Sequence, residues 1–148
     1  MSFLPANFLV PERLTTPIFS ARPLTVDDVI RDYDAVMSSR ERLLGTFGAG
    51  SKWPAADLSL KQNLIDLGWH QKEFQKRSSF AYTIVDPADV LTIGCFYIYP
   101  EAPDGFDASL YLWVRTSHAH LDEAVFSAVK QWVEAAWPFG RLACPGRT

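Results

Sequence analysis

Three consecutive segments that read as strands, followed at once by an amphipathic helix, constrain this chain more than any other feature. Residues 80–86, 91–99 and 108–115 are rich in β-branched and aromatic side chains and are separated by turn-formers, the pattern of short strands in one meander. Asp86-Pro87-Ala88-Asp89 puts proline at a favoured central turn position, so the first two segments form a hairpin. The second is apolar on both faces and is expected to lie centrally in its sheet. In the third, Leu110, Leu112 and Val114 share one face, and Tyr111, Trp113 and Arg115 the other. From Leu121 the period changes. Leu121, Val125, Ala128, Val129, Trp132, Val133 and Ala136 form one stripe, with Asp122 and Glu123 in the first turn and Pro138 as the stop. The unpaired N–H groups and positive dipole end of that helix meet the end of the third strand, a natural place for an anion. The turn between them, Val114-Arg115-Thr116-Ser117-His118-Ala119-His120-Leu121, contains no glycine.

The first half of the chain supplies the rest of the frame. Residues 1–16 are aperiodic and contain Pro5 and Pro11, the composition of an arm that packs on the body or on a partner. Residues 17–24 alternate weakly as a short strand. Thr25 with Asp28 resembles a capping box with Asp in place of Glu, and Val26, Val29, Ile30, Tyr33, Met37 and Leu44 follow at helical spacing. A first helix is therefore expected over about 26–40. A glycine-rich loop, residues 45–54, leads to a second helix that starts after Asp57 or Ser59, both good caps, and ends near Arg77. Its stripe reads Leu60, Leu64, Leu67 and Phe74. Residues 139–144 close the chain as a short strand. The order is β-α-α-β-β-β-α-β, an α/β (α+β) arrangement with no internal repeat.

Composition bounds the function classes. At 148 residues and 48% hydrophobic content the chain makes one ordinary domain with a real core. A net charge of −3 gives no general attraction to nucleic acid or to an anionic membrane. Cys95 and Cys144 are too few and too far apart for a disulfide framework or a zinc site. The N-terminus lacks the early positive charge of a signal peptide, and no run reaches the roughly 18 apolar residues of a membrane span. A cytoplasmic protein is expected, with neither membrane nor nucleic acid as partner.

The order of elements resembles the GNAT N-acetyltransferase superfamily, in which a strand and two helices precede an antiparallel meander, a helix and a strand. Four pieces carry the likeness: residues 18–44; the hairpin with Ile93-Gly94-Cys95-Phe96-Tyr97-Ile98-Tyr99; the strand Leu110-Tyr111-Leu112-Trp113-Val114; and the following helix and strand. They span residues 17–144, so a single GNAT-like domain over 17–148 is expected, with a mostly antiparallel sheet and helices on both faces. The resemblance implies transfer of an acetyl group from acetyl-CoA to an amine. It also implies that Leu112, Trp113 and Val114 offer backbone groups to the pantetheine arm, and that the loop with Arg115, Ser117 and His118 holds the pyrophosphate. Two departures stand out. Family members carry a Gln/Arg-x-x-Gly-x-Gly/Ala signature at this junction, whose glycines let phosphate approach the backbone. They also continue into a further helix and strand pair, whereas this sequence stops at Thr148. A homodimer whose partner completes the sheet is one expectation. A GNAT-fold protein that has lost catalysis, and serves as a small-molecule-binding or protein-interaction module, is the alternative.

Each candidate residue also has a plainer role. Arg115, Thr116, Ser117 and His118 can bind an anion at the helix mouth, or Thr116 or Ser117 is a cap and Arg115 a solvated strand end. Tyr97, Tyr99 and Tyr111 can line an acceptor pocket, or form core beneath the helices with polar tips at the rim. Glu101, Asp104 and Asp107 are the acids nearest the third strand, in a loop made of turn-formers. His70 reads as a surface or interface residue within the second helix, with general base as its sharper alternative. His118 and His120 alone do not make a metal site, and no metal is expected.

Overall fold

The computed structural model describes residues 3–147. Strand pairing follows chain order across one six-stranded sheet: β1 (Leu14–Thr15), β2 (Ser20–Pro23), β3 (Phe80–Val85), β4 (Thr92–Tyr99), β5 (Ala108–Val114) and β6 (Leu142–Ala143). Neighbours run antiparallel except the last pair. β6 is parallel to β5 because helix α4 (Asp122–Ala136) crosses over between them. The sheet is α/β with helices on both faces, as the resemblance implies.

Strand alternation divides the core in two. Tyr82, Ile84, Phe96, Ile98, Leu110, Leu112 and Val114 meet Val125, Val129 and Val133 of α4 on one face. Ala81, Cys95, Tyr97 and Trp113 meet α1 (Val29–Ser38), α2 (Arg40–Leu43) and α3 (Leu60–Gln75) on the other, through Ala35, Val36, Leu43 and Leu67. Gly94 lies opposite Val114 in the β4–β5 pair, where a Cβ would overlap the Trp113 carbonyl. Only glycine lets the two strands approach this closely at that point.

The amino-terminal arm is fixed to the body. Leu4 is buried, Phe3 stacks on Phe139 at 5.4 Å, and Arg77 donates to the carbonyls of Pro5 (2.8 Å) and Phe8 (2.7 Å). The Tyr82 hydroxyl donates to the Pro11 carbonyl, and β1 adds a short edge strand from within the expected arm.

Several elements differ from the sequence expectation. The first helix is three pieces: a single tight turn, Val26–Asp28, then α1, then α2 beyond Ser39. Ser39 breaks the run because its buried hydroxyl accepts the Thr116 N–H at 2.8 Å, so the chain bends where it meets the strand-to-helix junction. The α3 stripe is rotated. Leu60 and Leu64 are 42% exposed, and the buried positions are Asn63 and Leu67. The final strand shrinks to two residues. Beside it the Asp107 carboxylate accepts the N–H groups of Gly140 (2.7 Å) and Arg141 (2.9 Å), stapling the end of α4's return to the start of β5.

Candidate functional site

β5 and β6 pair only at Ala108 with Leu142 and Ser109 with Ala143. Beyond that the strands part, and the β5 edge faces a notch instead of a strand. Two concave spaces of about 210 and 270 Å³ lie there, with Arg42, Thr46, Leu112 and Arg147 common to both. Arg147 Nη2 donates to the Leu112 carbonyl at 3.1 Å, and Arg42 Nε donates to the Val114 carbonyl at 2.9 Å. Both arginines converge on Asp122, the first residue of α4. Arg147 reaches it at 2.6 and 3.0 Å and Arg42 at 3.2 Å. The hydrogen bond from Arg147, then the charges of Arg147 and Arg42, hold the Asp122 carboxyl below the usual range. A helix start attracts an anion, and here the chain's own carboxylate takes that position.

The residues expected from sequence at this junction are thereby separated. Leu112 and Val114 present carbonyls to the notch, whereas Trp113 turns its side chain toward the α1 face and donates Nε1 to the Tyr97 hydroxyl at 2.9 Å. Arg115 follows the same alternation and is buried on the α1 side. It donates to the Thr92 carbonyl (3.1 Å), Asp34 (3.0 Å) and Ser38 Oγ (3.2 Å). It is neither a solvated strand end nor a wall of the notch; it ties the start of β4 to the end of α1. Ser117 and His118 bond each other at 2.8 Å within a tight turn, Thr116–Leu121, that precedes α4. Neither caps α4, and neither lines the notch.

A second cavity, about 350 Å³, opens on the other side of a single ring. Phe47, carried by the glycine-rich loop, lines both this cavity and a smaller space next to the notch that also holds Tyr111. Its ring centroid lies 5.1 Å from Tyr97, 5.3 Å from Tyr111 and 5.3 Å from Trp53. Tyr97 and Tyr99 line the cavity, while Tyr111, opposite Tyr97 in the register, stands across the partition. Tyr97 is thus both buried in the core and a wall of the cavity, Tyr99 is a wall, and Tyr111 does not reach it.

The helices supply the cavity's chemistry. Asp32 of α1 is 4% exposed, and Asn63 Nδ2 donates to its Oδ2 at 3.0 Å. Burial pushes the Asp32 carboxyl up to about 6; Asn63 opposes that shift, while Asp28 and Asp66 add to it. On α3, Asn63, Asp66 and His70 are spaced to share one face and line the cavity together. Burial pushes His70 down to about 4, against the pull of Asp66 and Glu73, so its imidazole is neutral near pH 7. The acids of the 101–107 loop lie elsewhere. Asp107 staples the chain at Arg141, the Glu101 carbonyl accepts from Ser109, and none of Glu101, Asp104 and Asp107 lines the cavity.

Comparisons agree with this geometry at the level of fold. No protein-family model and no curated sequence matches the chain. Solved structures do. Ribosomal-protein-S5-alanine acetyltransferase from Vibrio fischeri superposes with a TM-score of 0.64 at 13% identity, covering 84% of this chain and 69% of that one. The fold is that of the GNAT acetyltransferases. A ribosomal L7/L12 alpha-N-protein acetyltransferase in complex with coenzyme A gives 0.65 at 13% identity, over 82% of this chain and 67% of that one. An acetyltransferase from Agrobacterium tumefaciens gives 0.56 at 21% identity, over 87% and 70%. Within this fold the notch lies at the carboxyl end of β5, where the one parallel pair among the described strands parts. Among the described residues, no helix is long and apolar enough to cross a membrane.

Proposed function

We propose that the chain is an N-acetyltransferase that takes its acyl group from acetyl-CoA and passes it to an amine. The observation carrying this reading is the parting of β5 from β6 beside an acid-lined cavity, in a fold shared with acetyltransferases. The residues present fit the acyl carrier. Leu112 and Val114 carbonyls sit two positions apart on one strand edge and are met by side-chain donors, not by a strand, so an extended amide chain can exchange for them. Arg42 and Arg147 supply two guanidinium groups for phosphate oxygens, replacing the close backbone approach that glycines would allow.

When bound, acetyl-CoA would supply an acyl group activated as a thioester for transfer to nitrogen. The chain's own residues handle the amine. Asp32 holds the ammonium in the cavity and takes its proton, and a carboxyl raised toward 6 is a stronger base than an ordinary carboxylate. Asn63 fixes the Asp32 carboxyl through Oδ2 and leaves Oδ1 to the substrate. Phe47 and Trp53 keep bulk water from the reacting nitrogen. Two unpaired cysteines, Cys95 and Cys144, suit the reducing cytoplasm, which we propose as the compartment.

A thermal-shift titration with acetyl-CoA tests the reading, because a ligand bound only by the native state must raise the melting temperature. A rise of several degrees, together with release of free thiol when an amine is added, supports it. No rise at millimolar acetyl-CoA leaves the fold without this activity.

A further inference from the structure

The cavity between α1 and α3 has a composition that selects among amines. Its charged wall is Asp32 and Asp66, and no lysine or arginine lines it. Asp32 is more than nine-tenths buried, and its one side-chain partner among the described residues is the neutral amide of Asn63. A buried carboxylate is ordinarily matched by a cation. Here no ion pair reaches it among the described residues; the nearby arginines Arg22 and Arg31 pair with Asp28 and Asp89 instead. His70, the one basic side chain in the wall, is neutral near pH 7 and cannot supply the charge. Most of the rest of the wall is aromatic, Phe47, Trp53, Trp69, Tyr97 and Tyr99, with Leu24 and Leu67 between them. Such rings favour both a flat apolar body and a cation set against their faces.

We propose that this cavity binds a small organic cation, a primary ammonium on a short arm carrying a flat apolar group, and excludes acceptors that bear a carboxylate. The inference deepens the acetyltransferase reading by naming the class of its acceptor. It stands on the cavity's own walls. The ammonium pairs with Asp32 Oδ1 and is flanked by Asp66, while the ring lies among Trp53, Phe47 and Tyr99. A carboxylate on the same molecule meets two like charges with no compensating cation. At about 350 Å³ the cavity is at the small end for ligand sites, which suits an arylalkylamine.

The test is binding, measured without acetyl-CoA, of 2-phenylethylamine against phenylacetate, which shares the ring and reverses the charge. The amine should bind at least about tenfold more tightly than the acid by calorimetry. Asp32→Asn should weaken amine binding by about tenfold or more, and Trp53→Ala should weaken it independently, so the inference stays open to refutation if one variant folds poorly. Phenylacetate binding as tightly as the amine overturns it. So does amine binding that both variants leave unchanged, or no amine binding up to about 10 mM. If acetyl-CoA binds and the amine does not, this inference fails alone. If the amine binds and acetyl-CoA does not, the transferase reading fails alone.

Discussion

Arg42 and Val114, 72 residues apart, are joined by a 2.9 Å hydrogen bond from Nε to the main-chain carbonyl. The end of a helical segment thereby fills a position that a neighbouring strand would otherwise take, and Arg147 does the same for Leu112. These side chains are held by Asp122, so an anionic ligand at the notch must compete with that carboxylate for two cations.

The competition has a measurable signature. Arg42→Ala and Arg147→Ala should each weaken acetyl-CoA binding by about tenfold or more, as expected for losing a charge-assisted bond to phosphate. Their cost in stability should stay below about 1 kcal/mol, because the pairs are partly exposed and screened. Raising salt should weaken acetyl-CoA binding less in the variants than in the parent chain. Variants that bind acetyl-CoA as tightly as the parent would remove both arginines from the ligand site.

Asp32 and His70 make opposing pH demands on the fold. The folded-state pKa of Asp32, about 6, lies above its ordinary value of 3.8, so its destabilising effect is absent at low pH and grows as pH rises through that window. His70, lowered from 6.5 to about 4, weakens the fold as pH falls through 6.5 toward 4. The two offset each other between pH 4 and 6.5. Asp32→Asn should therefore stabilise the protein at pH 8 by on the order of 2–3 kcal/mol, with the gain vanishing near pH 4. His70→Gln should leave stability rising on acidification. Urea midpoints at pH 4, 6 and 8 report both, and a flat profile in both variants would place the two groups in ordinary solvent.

Arg115 is a structural clamp. Arg115→Ala should cost about 2 kcal/mol or more, since the Thr92 carbonyl loses its donor in a buried setting and the side chain leaves a void. The loss should be equal with and without acetyl-CoA. A variant of parent-like stability that fails to respond to acetyl-CoA would return Arg115 to the ligand site.

Gly94→Ala tests the close pairing of β4 and β5. The added methyl has only backbone to meet, so a loss of about 1–3 kcal/mol is expected. Because Val114 is the residue opposite, the same variant should also disturb the notch carbonyls, visible as weaker acetyl-CoA binding per unit of folded protein. Parent-like stability would contradict the tight approach of the two strands.

The frame was legible in the sequence wherever the signal was local. The alternation of Leu110, Leu112 and Val114 against Tyr111 and Trp113 assigned the two faces of β5, and the stripe ending at Ala136 located α4. The shared face of Tyr97 and Tyr99 was readable because same-face spacing in a strand is a fixed period; Tyr111, expected beside them, lies across Phe47 from the cavity they line. The α3 stripe misled. Leucines at 60 and 64 face outward, while Asn63, Asp66 and His70 turn inward to line a cavity, and hydropathy cannot distinguish a polar cavity wall from a solvated face. A signal existed in Asp28 and Asp32, one helical turn apart beside an apolar stripe, but it became informative only with Asn63 opposite. Arg42, Asp122 and Arg147 come from three distant segments and have no shared local pattern. Arg115 sits at the junction in the sequence, yet strand alternation sends it to the opposite face.

Phe47 belongs to two walls at once, and its backbone neighbours Gly45 and Gly48 hold positive φ values of 89° and 111° that other residues rarely adopt. A guest that shifts this ring from one side redraws the surface offered on the other. Thermodynamic linkage then requires reciprocity: whatever factor the amine imposes on acetyl-CoA affinity, acetyl-CoA imposes on the amine. The order in which two guests arrive never alters their combined free energy; what an aromatic side chain shared by both walls governs is the sign of their cooperation.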